Sequence, residues 1–223
     1  IALVEKYFTL LNKGKNKQPE KAIYTGGYLA KNKKLEQTQF LMGFESCSYL
    51  DKHYYEVGVL SIVLGGGMSS RLFQEIREKR GLCYRINTDN SSSIDTGLFE
   101  IYCAVSPEKT DELIHAVIDE LKKATHNITK DECDRAITKL KSNILMSKES
   151  NSNRAQKNAS DLFARNKVVD SKELIQQIES VNAKKLQNYM EFMLSNSKPT
   201  INILGKIGNN ISTYEDICNK IKK

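Results

Sequence analysis

Several groups of residues in this chain could do chemistry. One is the glycine run Gly65-Gly66-Gly67, followed by Met68-Ser69-Ser70. A glycine-rich loop cradles phosphate when Gly-Lys-Ser/Thr follows, so that lysine meets the phosphates and the hydroxyl meets magnesium. No lysine stands there. The preceding segment also reads as a helix, whereas a dinucleotide fingerprint requires a strand. The run is therefore expected to be a turn between two helices, with a glycine at positive φ. A second group is His53-Tyr54-Tyr55-Glu56, the front of an H-x-x-E-H zinc motif in which Val57 replaces the second histidine. Catalytic zinc takes three protein ligands, and His115 and His126 lie far off in sequence, so the chain alone is expected to bind no metal. Paired acidic residues fall on charged helix faces, and spacing nominates no Ser/His/Asp grouping. The segment Arg77 to Tyr84 leaves two readings open. Arg77, Lys79 and Arg80 complement a helix dipole, with Tyr84 half buried in a sheet, or the segment belongs to a catalytic apparatus. A helical wheel does not single out Arg77, because Arg80 lies nearer the apolar stripe.

The elements that would position these residues follow from periodicity. The chain opens on a helical pattern, with Leu3, Tyr7 and Leu10 on one face and Val4, Phe8 and Leu11 beside them. A polar linker with Gly14 and Pro19 runs from Asn12 to Glu20. Strands are expected at Gly27 to Lys31 and Thr38 to Phe44. A helix from Asp51 to Leu64 has Val57, Leu60 and Leu64 on its apolar side. After the glycine run, Ser69 or Ser70 caps a helix with the stripe Leu72, Phe73 and Ile76, ended by Gly81. Strands follow at Tyr84 to Thr88 and Thr96 to Val105, with Phe99, Ile101, Cys103 and Val105 sharing a face. Ser106-Pro107 starts a helix, and Thr129 to Glu132 forms a capping box ahead of the stripe Cys133, Ile137, Leu140 and Ile144. Further helices are expected at Asn153 to Arg165, Ser171 to Ile178 and Ala183 to Leu194. A strand at Thr200 to Leu204 and a helix from Thr213 close the chain. Strands early, helices later and one returning strand give an α+β fold, an antiparallel sheet with helices packed mainly on one face.

Composition narrows the function classes. The 223 residues suggest one large or two small domains, at about 100–200 residues per domain. The 39% hydrophobic and 27% charged content is that of a globular chain with a real core. The most apolar run, Val57 to Leu64, is far shorter than the ~18 residues of a membrane span. A net charge of +7 raises nucleic acid as a partner, but the lysines are spread out and mixed with acids, without aromatic interleaving, so none is expected. The five cysteines form no C-x-x-C pair and read as small buried hydrophobes in a reducing compartment.

Two stretches carry a resemblance. "LGGGMSSRLFQEIREKRGLCY", residues 64 to 84, and "YTGGYLAKNKKLEQTQFLMGFE", residues 24 to 45, together resemble the pitrilysin/insulinase family of zinc metallopeptidases, nearest its mitochondrial processing peptidase-like bacterial branch. The resemblance extends along the whole chain and implies two homologous halves enclosing a chamber. The amino-terminal half carries H-x-x-E-H, zinc and the general-base Glu. The carboxyl-terminal half, which this chain matches, supplies an Arg and a Tyr seven residues apart that reach the substrate. That carry-over falls on Arg77 and Tyr84. It implies a substrate-positioning half of an endopeptidase acting on peptides or presequence-like segments, inactive without its zinc-bearing partner half. The alternative is a noncatalytic scaffold subunit of a heterodimeric complex. Residues 1–20 are then expected to end the preceding half and 21–223 to form the carboxyl-terminal domain. The start at Ile1 without Met fits a piece of a longer chain. A bacterial cytoplasmic parent is expected, with periplasm or mitochondrial matrix open, and a homodimer is possible. Exposed sheet edges are expected to take extended substrate by strand addition.

Overall fold

A computed structural model describes residues 1–9, 11, 14, 20–208 and 211–222. Leu10 and most of the expected linker, including Pro19, lie outside the described residues. The elements run α1 (Ala2–Phe8), β1 (Gly27–Asn32), β2 (Thr38–Ser46), α2 (Tyr54–Gly65), a π-helix (Phe73–Lys79), β3 (Cys83–Ser92), β4 (Gly97–Val105) and α3 (Thr110–Asn127). They continue with α4 (Lys130–Ser147), α5 (Asn151–Arg165), α6 (Ser171–Glu179), α7 (Ala183–Asn196), β5 (Thr200–Gly205) and α8 (Tyr214–Lys222).

The five strands form one sheet in the order β1-β5-β2-β4-β3. Its β5–β2, β2–β4 and β4–β3 pairings are antiparallel, as the hairpin-like spacing leads one to expect. The β1–β5 pairing is parallel, because β5 returns only after the long helical excursion and enters beside β1 in the same direction. Tyr24 fastens this corner: its hydroxyl lies within hydrogen-bonding distance of the Gly43 carbonyl (3.0 Å), the Lys198 carbonyl (2.9 Å) and Thr200 Oγ1 (2.9 Å).

Alternation separates the two faces of the sheet. Phe40, Met42, Phe44, Phe99, Ile101, Cys103, Val105, Ile86, Ile201 and Ile203 are buried on one face, beneath the helices. On the other face Gln39, Leu41, Arg85, Asn87, Tyr102, Asn202 and Leu204 are left half-buried or exposed. The α+β architecture with helices on one face is thus the observed one.

Helix α2 is the central helix. Besides Val57, Leu60 and Leu64, it buries Val59 and Val63, so its apolar surface exceeds a single stripe, as befits a helix enclosed on several sides. It packs against β3, α4 and α7. Gly65 allows the closest approach to the sheet: a β-carbon there would lie 2.5 Å from the Thr88 nitrogen. Thr88 completes the joint by donating from Oγ1 to the Ser61 carbonyl at 2.6 Å. Helix α4 begins in the expected capping box, Thr129 with Glu132. Helix α1 buries none of its residues, and Leu3, Val4, Tyr7 and Phe8 are exposed.

Candidate active site at the Arg77 to Tyr84 turn

The glycine run ends α2 as expected, and Gly67 takes the positive φ (+145°) of the turn. Ser70 steadies the turn, its hydroxyl donating to the Gly67 carbonyl at 2.6 Å. The segment that follows is an α-helix only at Arg71 and Leu72, then a π-helix to Lys79. Leu72 and Ile76 are fully buried. Arg77 lies over Phe73, four residues back, with the guanidinium carbon 4.5 Å from the ring centre. Isolated π-turns are rare and gather at functional sites.

The start of this helix is clamped from behind. Arg71 is nearly buried and donates from Nε and Nη2 to the two carboxylate oxygens of Glu132, each at 2.8 Å. It also donates to the Asn127 carbonyl at 2.6 Å and reaches Glu120 at 3.4 Å. Burial raises the Glu132 pKa, but the Arg71 hydrogen bonds and those of Thr129 outweigh it and hold the carboxyl below its ordinary value.

The end of the helix is closed by Gly81 at φ +58°, with hydrogen bonds from Gly81 N to the Arg77 carbonyl and from Leu82 N to the Ile76 carbonyl. This is the left-handed carboxyl cap. Lys109 donates to the Gly81 carbonyl from the far side.

Tyr84 owes its exposure to a bulge. In the β3–β4 ladder Cys83 faces Val105 and Arg85 faces Ala104, so Tyr84 is a surplus residue without a partner. Strict alternation would put Tyr84 on the same face as Ile86, which is buried. The extra residue breaks the alternation and leaves Tyr84 78% exposed. The expectation of a half-buried Tyr84 is corrected accordingly.

The two candidate residues meet. The Arg77 guanidinium lies 5.2 Å from the centre of the Tyr84 ring as well as over Phe73, so it is held between two aromatic faces. The neighbouring cations are taken by Glu75, which accepts from Lys79 at 3.0 Å and from Arg80 at 3.1 Å. The Lys79 hydrogen bond is the largest influence holding the Glu75 carboxyl below its usual value. Arg77 approaches a carboxylate only at 3.8 Å, from Glu78. Among the described residues its N–H donors and the Tyr84 hydroxyl make no hydrogen bond. Arg80 is thus paired with Glu75, whereas Arg77 lies against the Phe73 and Tyr84 rings with Glu78 at 3.8 Å.

The histidines lie elsewhere. His53 Nδ1 meets Glu56 Oε2 at 2.5 Å at the start of α2. Asp111, His115 and Ser212, distant in sequence, do come together, but Ser212 Oγ (3.0 Å) and Asp111 Oδ2 (3.4 Å) both contact Nε2 of His115. A nucleophilic triad needs the acid on the other ring nitrogen, and His115 Nδ1 is buried without a partner. Among the described residues no three His, Cys, Asp or Glu side chains gather to hold a metal ion.

The comparison that decides the family is a match of residues 1–140 to the peptidase M16 inactive domain. The chain belongs to the M16 peptidase family. It is 34% identical over 180 residues to an uncharacterized zinc protease of Rickettsia bellii, covering 80% of this chain and 44% of that protein. The uncharacterized zinc protease YmxG of Bacillus subtilis is 30% identical, with 82% and 45% covered. This M16 chain thus spans about half the length of the curated relatives it matches. Among solved structures, a protease from Helicobacter pylori superposes with TM-score 0.75 at 21% identity, covering 92% of this chain and 51% of that one. A chain of Complex III2 from Candida albicans gives TM-score 0.82 at 15% identity, with 96% and 54% covered. At these identities the likeness is one of fold. Among the described residues no helix is long and apolar enough to cross a membrane.

Proposed function

We propose that this M16 domain is the substrate-positioning half of a zinc-dependent endopeptidase that cleaves peptides or presequence-like segments, with Arg77 and Tyr84 as the residues it offers to the substrate. The supporting observation is the Arg77 guanidinium, which makes no hydrogen bond among the described residues and lies against Phe73 and an outward-turned Tyr84. A guanidinium in this setting can bind a substrate carbonyl or carboxylate through paired N–H donors. A phenol beside it can donate to the oxygen on which charge grows as an amide carbon becomes tetrahedral. The relatives named zinc proteases support a peptidase parent. The metal chemistry would come from residues outside this chain. The exposed apolar side of α1 supports reading residues 1–20 as the end of a preceding half.

In a full-length parent, Tyr84→Phe is expected to lower turnover by about 10²–10³-fold, the usual cost of one oxyanion donor, with bound zinc unchanged. Near-normal turnover would remove Tyr84 from the chemistry.

The match to an inactive domain also suits the alternative of a noncatalytic scaffold subunit. In that case Arg77→Ala combined with Tyr84→Phe would leave the partner's cleavage rate unchanged.

A further inference from the structure

The arginines of this domain differ in what fixes them. Arg71 is clamped by two hydrogen bonds to Glu132. Arg165 stacks over Tyr49, its guanidinium carbon 4.8 Å from the ring centre, and Nη2 also donates to the Tyr49 carbonyl at 2.7 Å. Arg77 has the stacking without the hydrogen bond. Its backbone is held, because its carbonyl accepts from Gly81 N at 3.1 Å. Its guanidinium meets no hydrogen-bond acceptor among the described residues, and Glu78 comes only to 3.8 Å. A long arginine side chain loses much rotamer freedom when it is fixed in one place. The two rings lying against it are therefore what restrains it.

The two rings are not equivalent. Phe73 is the first residue of the π-helix, and its neighbours Leu72 and Ile76 are fully buried. Half-buried itself, Phe73 packs against the core, and its ring is the nearer of the two at 4.5 Å. Tyr84 stands at 5.2 Å, largely exposed, in a bulge without a ladder partner. A side chain with few buried contacts moves at small cost, whereas one packed into the core keeps its place. Any turn of Tyr84 toward a substrate leaves Phe73 as the ring in contact with Arg77.

We propose that Phe73 is a positioning residue: its ring is the fixed platform of the Arg77 guanidinium, and Tyr84 is a second ring that turns away while the platform stays. Phe73 acts through Arg77 and touches no substrate. A guanidinium already in place need not be ordered when substrate arrives, so its hydrogen bonds go to holding the substrate in a reactive geometry. The effect on cleavage rests on the proposed role of Arg77; the restraint on its side chain does not.

The test uses the full-length parent. With isotope-labelled arginine, the Arg77 Nε–H resonance is assigned by its loss in Arg77→Ala. It is expected to carry a ring-current shift that survives Tyr84→Ala and collapses in Phe73→Leu. A shift that collapses in Tyr84→Ala and survives Phe73→Leu assigns the platform to Tyr84 and overturns the proposal. Peptide-cleavage kinetics read the consequence. Phe73→Leu is expected to lower kcat/KM about 3–30-fold, the range of a cation–π contact, through the same parameter, kcat or KM, that Arg77→Ala changes. Phe73→Tyr, which keeps the ring, is expected to recover most of that loss. In an Arg77→Ala background Phe73→Leu is expected to change kcat/KM by less than about twofold, since residues in contact act non-additively. An equal loss in both backgrounds marks a merely structural effect of the half-buried ring and overturns the positioning role. Wild-type cleavage by Arg77→Ala overturns the proposed role of Arg77, and with it the effect of Phe73 on catalysis, while the resonance still decides which ring holds the side chain.

Discussion

Arg77 is set apart from Arg80 by what surrounds it. Two rings hold its guanidinium and no carboxylate takes its donors at hydrogen-bond distance. Arg77→Lys keeps the charge but loses the planar fork and the stacking. In the parent enzyme it is expected to lower kcat/KM clearly while leaving thermal stability nearly unchanged, because surface substitutions usually stay within about 0.5 kcal/mol. Parallel peptide-cleavage kinetics and thermal melts check both halves of that statement. Gly81→Ala should behave oppositely. Nothing lies within 4 Å of a β-carbon at Gly81, so the cost is the left-handed backbone alone. That cost is about 1–2 kcal/mol, read as a Tm drop of roughly 2–4 °C for each kcal/mol in a domain of this size.

At the scale of elements, the Arg71 clamp joins the π-helix to the α3–α4 corner. Breaking a nearly buried ion pair by removing one partner costs about 3–5 kcal/mol, and Arg71→Ala is expected to fall in that range in urea unfolding. Glu132 and Asp161 supply a pH signature. Burial works against ionisation at Asp161, but Lys157, the Val169 N–H and the Tyr49 hydroxyl outweigh it and hold its carboxyl below the ordinary value, as Arg71 does for Glu132. Depressed carboxyls stabilise the fold above their unfolded values near pH 4 and lose that contribution as pH falls through the lower folded values. Urea midpoints taken downward from pH 6 should therefore fall steeply only below about pH 4, and Glu132→Gln should flatten part of that fall.

These same elements show what the sequence made legible. Periodicity located the strands and α-helices among the described residues to within a few positions, mostly because they bury one face; α1, which buries none of its residues, still shows the apolar spacing of a helix. The Thr129 capping box was visible because its two partners are three residues apart. The π-helix was not, since one widened turn leaves Leu72 and Ile76 at spacings an α-helix would also use. The Tyr84 bulge was hidden for a related reason: the surplus residue is defined only against β4. The ion pair of Arg71 with Glu132 joins residues far apart in sequence, and no local pattern announces it. Resemblance, and not spacing, pointed to Arg77 and Tyr84; the contact of the Arg77 guanidinium with the Tyr84 ring depends on the bulge and could not be read from the helical wheel.

At the scale of the whole molecule, the proposed division of labour has a direct consequence. The isolated M16 domain is expected to cleave no peptide and to bind no catalytic zinc, and mixing it with a zinc-bearing amino-terminal half should restore cleavage. Zinc-dependent cleavage by the isolated chain would show that the reading misplaces the metal.

The position of β5 between β1 and β2 imposes a timetable on synthesis. At ~5–20 residues per second, roughly 10–30 s separate the emergence of Asn32 from that of Thr200. For that interval β1 has no partner, and β2 presents one open edge behind Phe40, Met42 and Phe44. An unpaired strand edge of this kind invites pairing with another chain. Nascent chains stalled before Thr200 should therefore partition into aggregates or onto chaperones, while chains released after Gly205 close their own sheet and remain free.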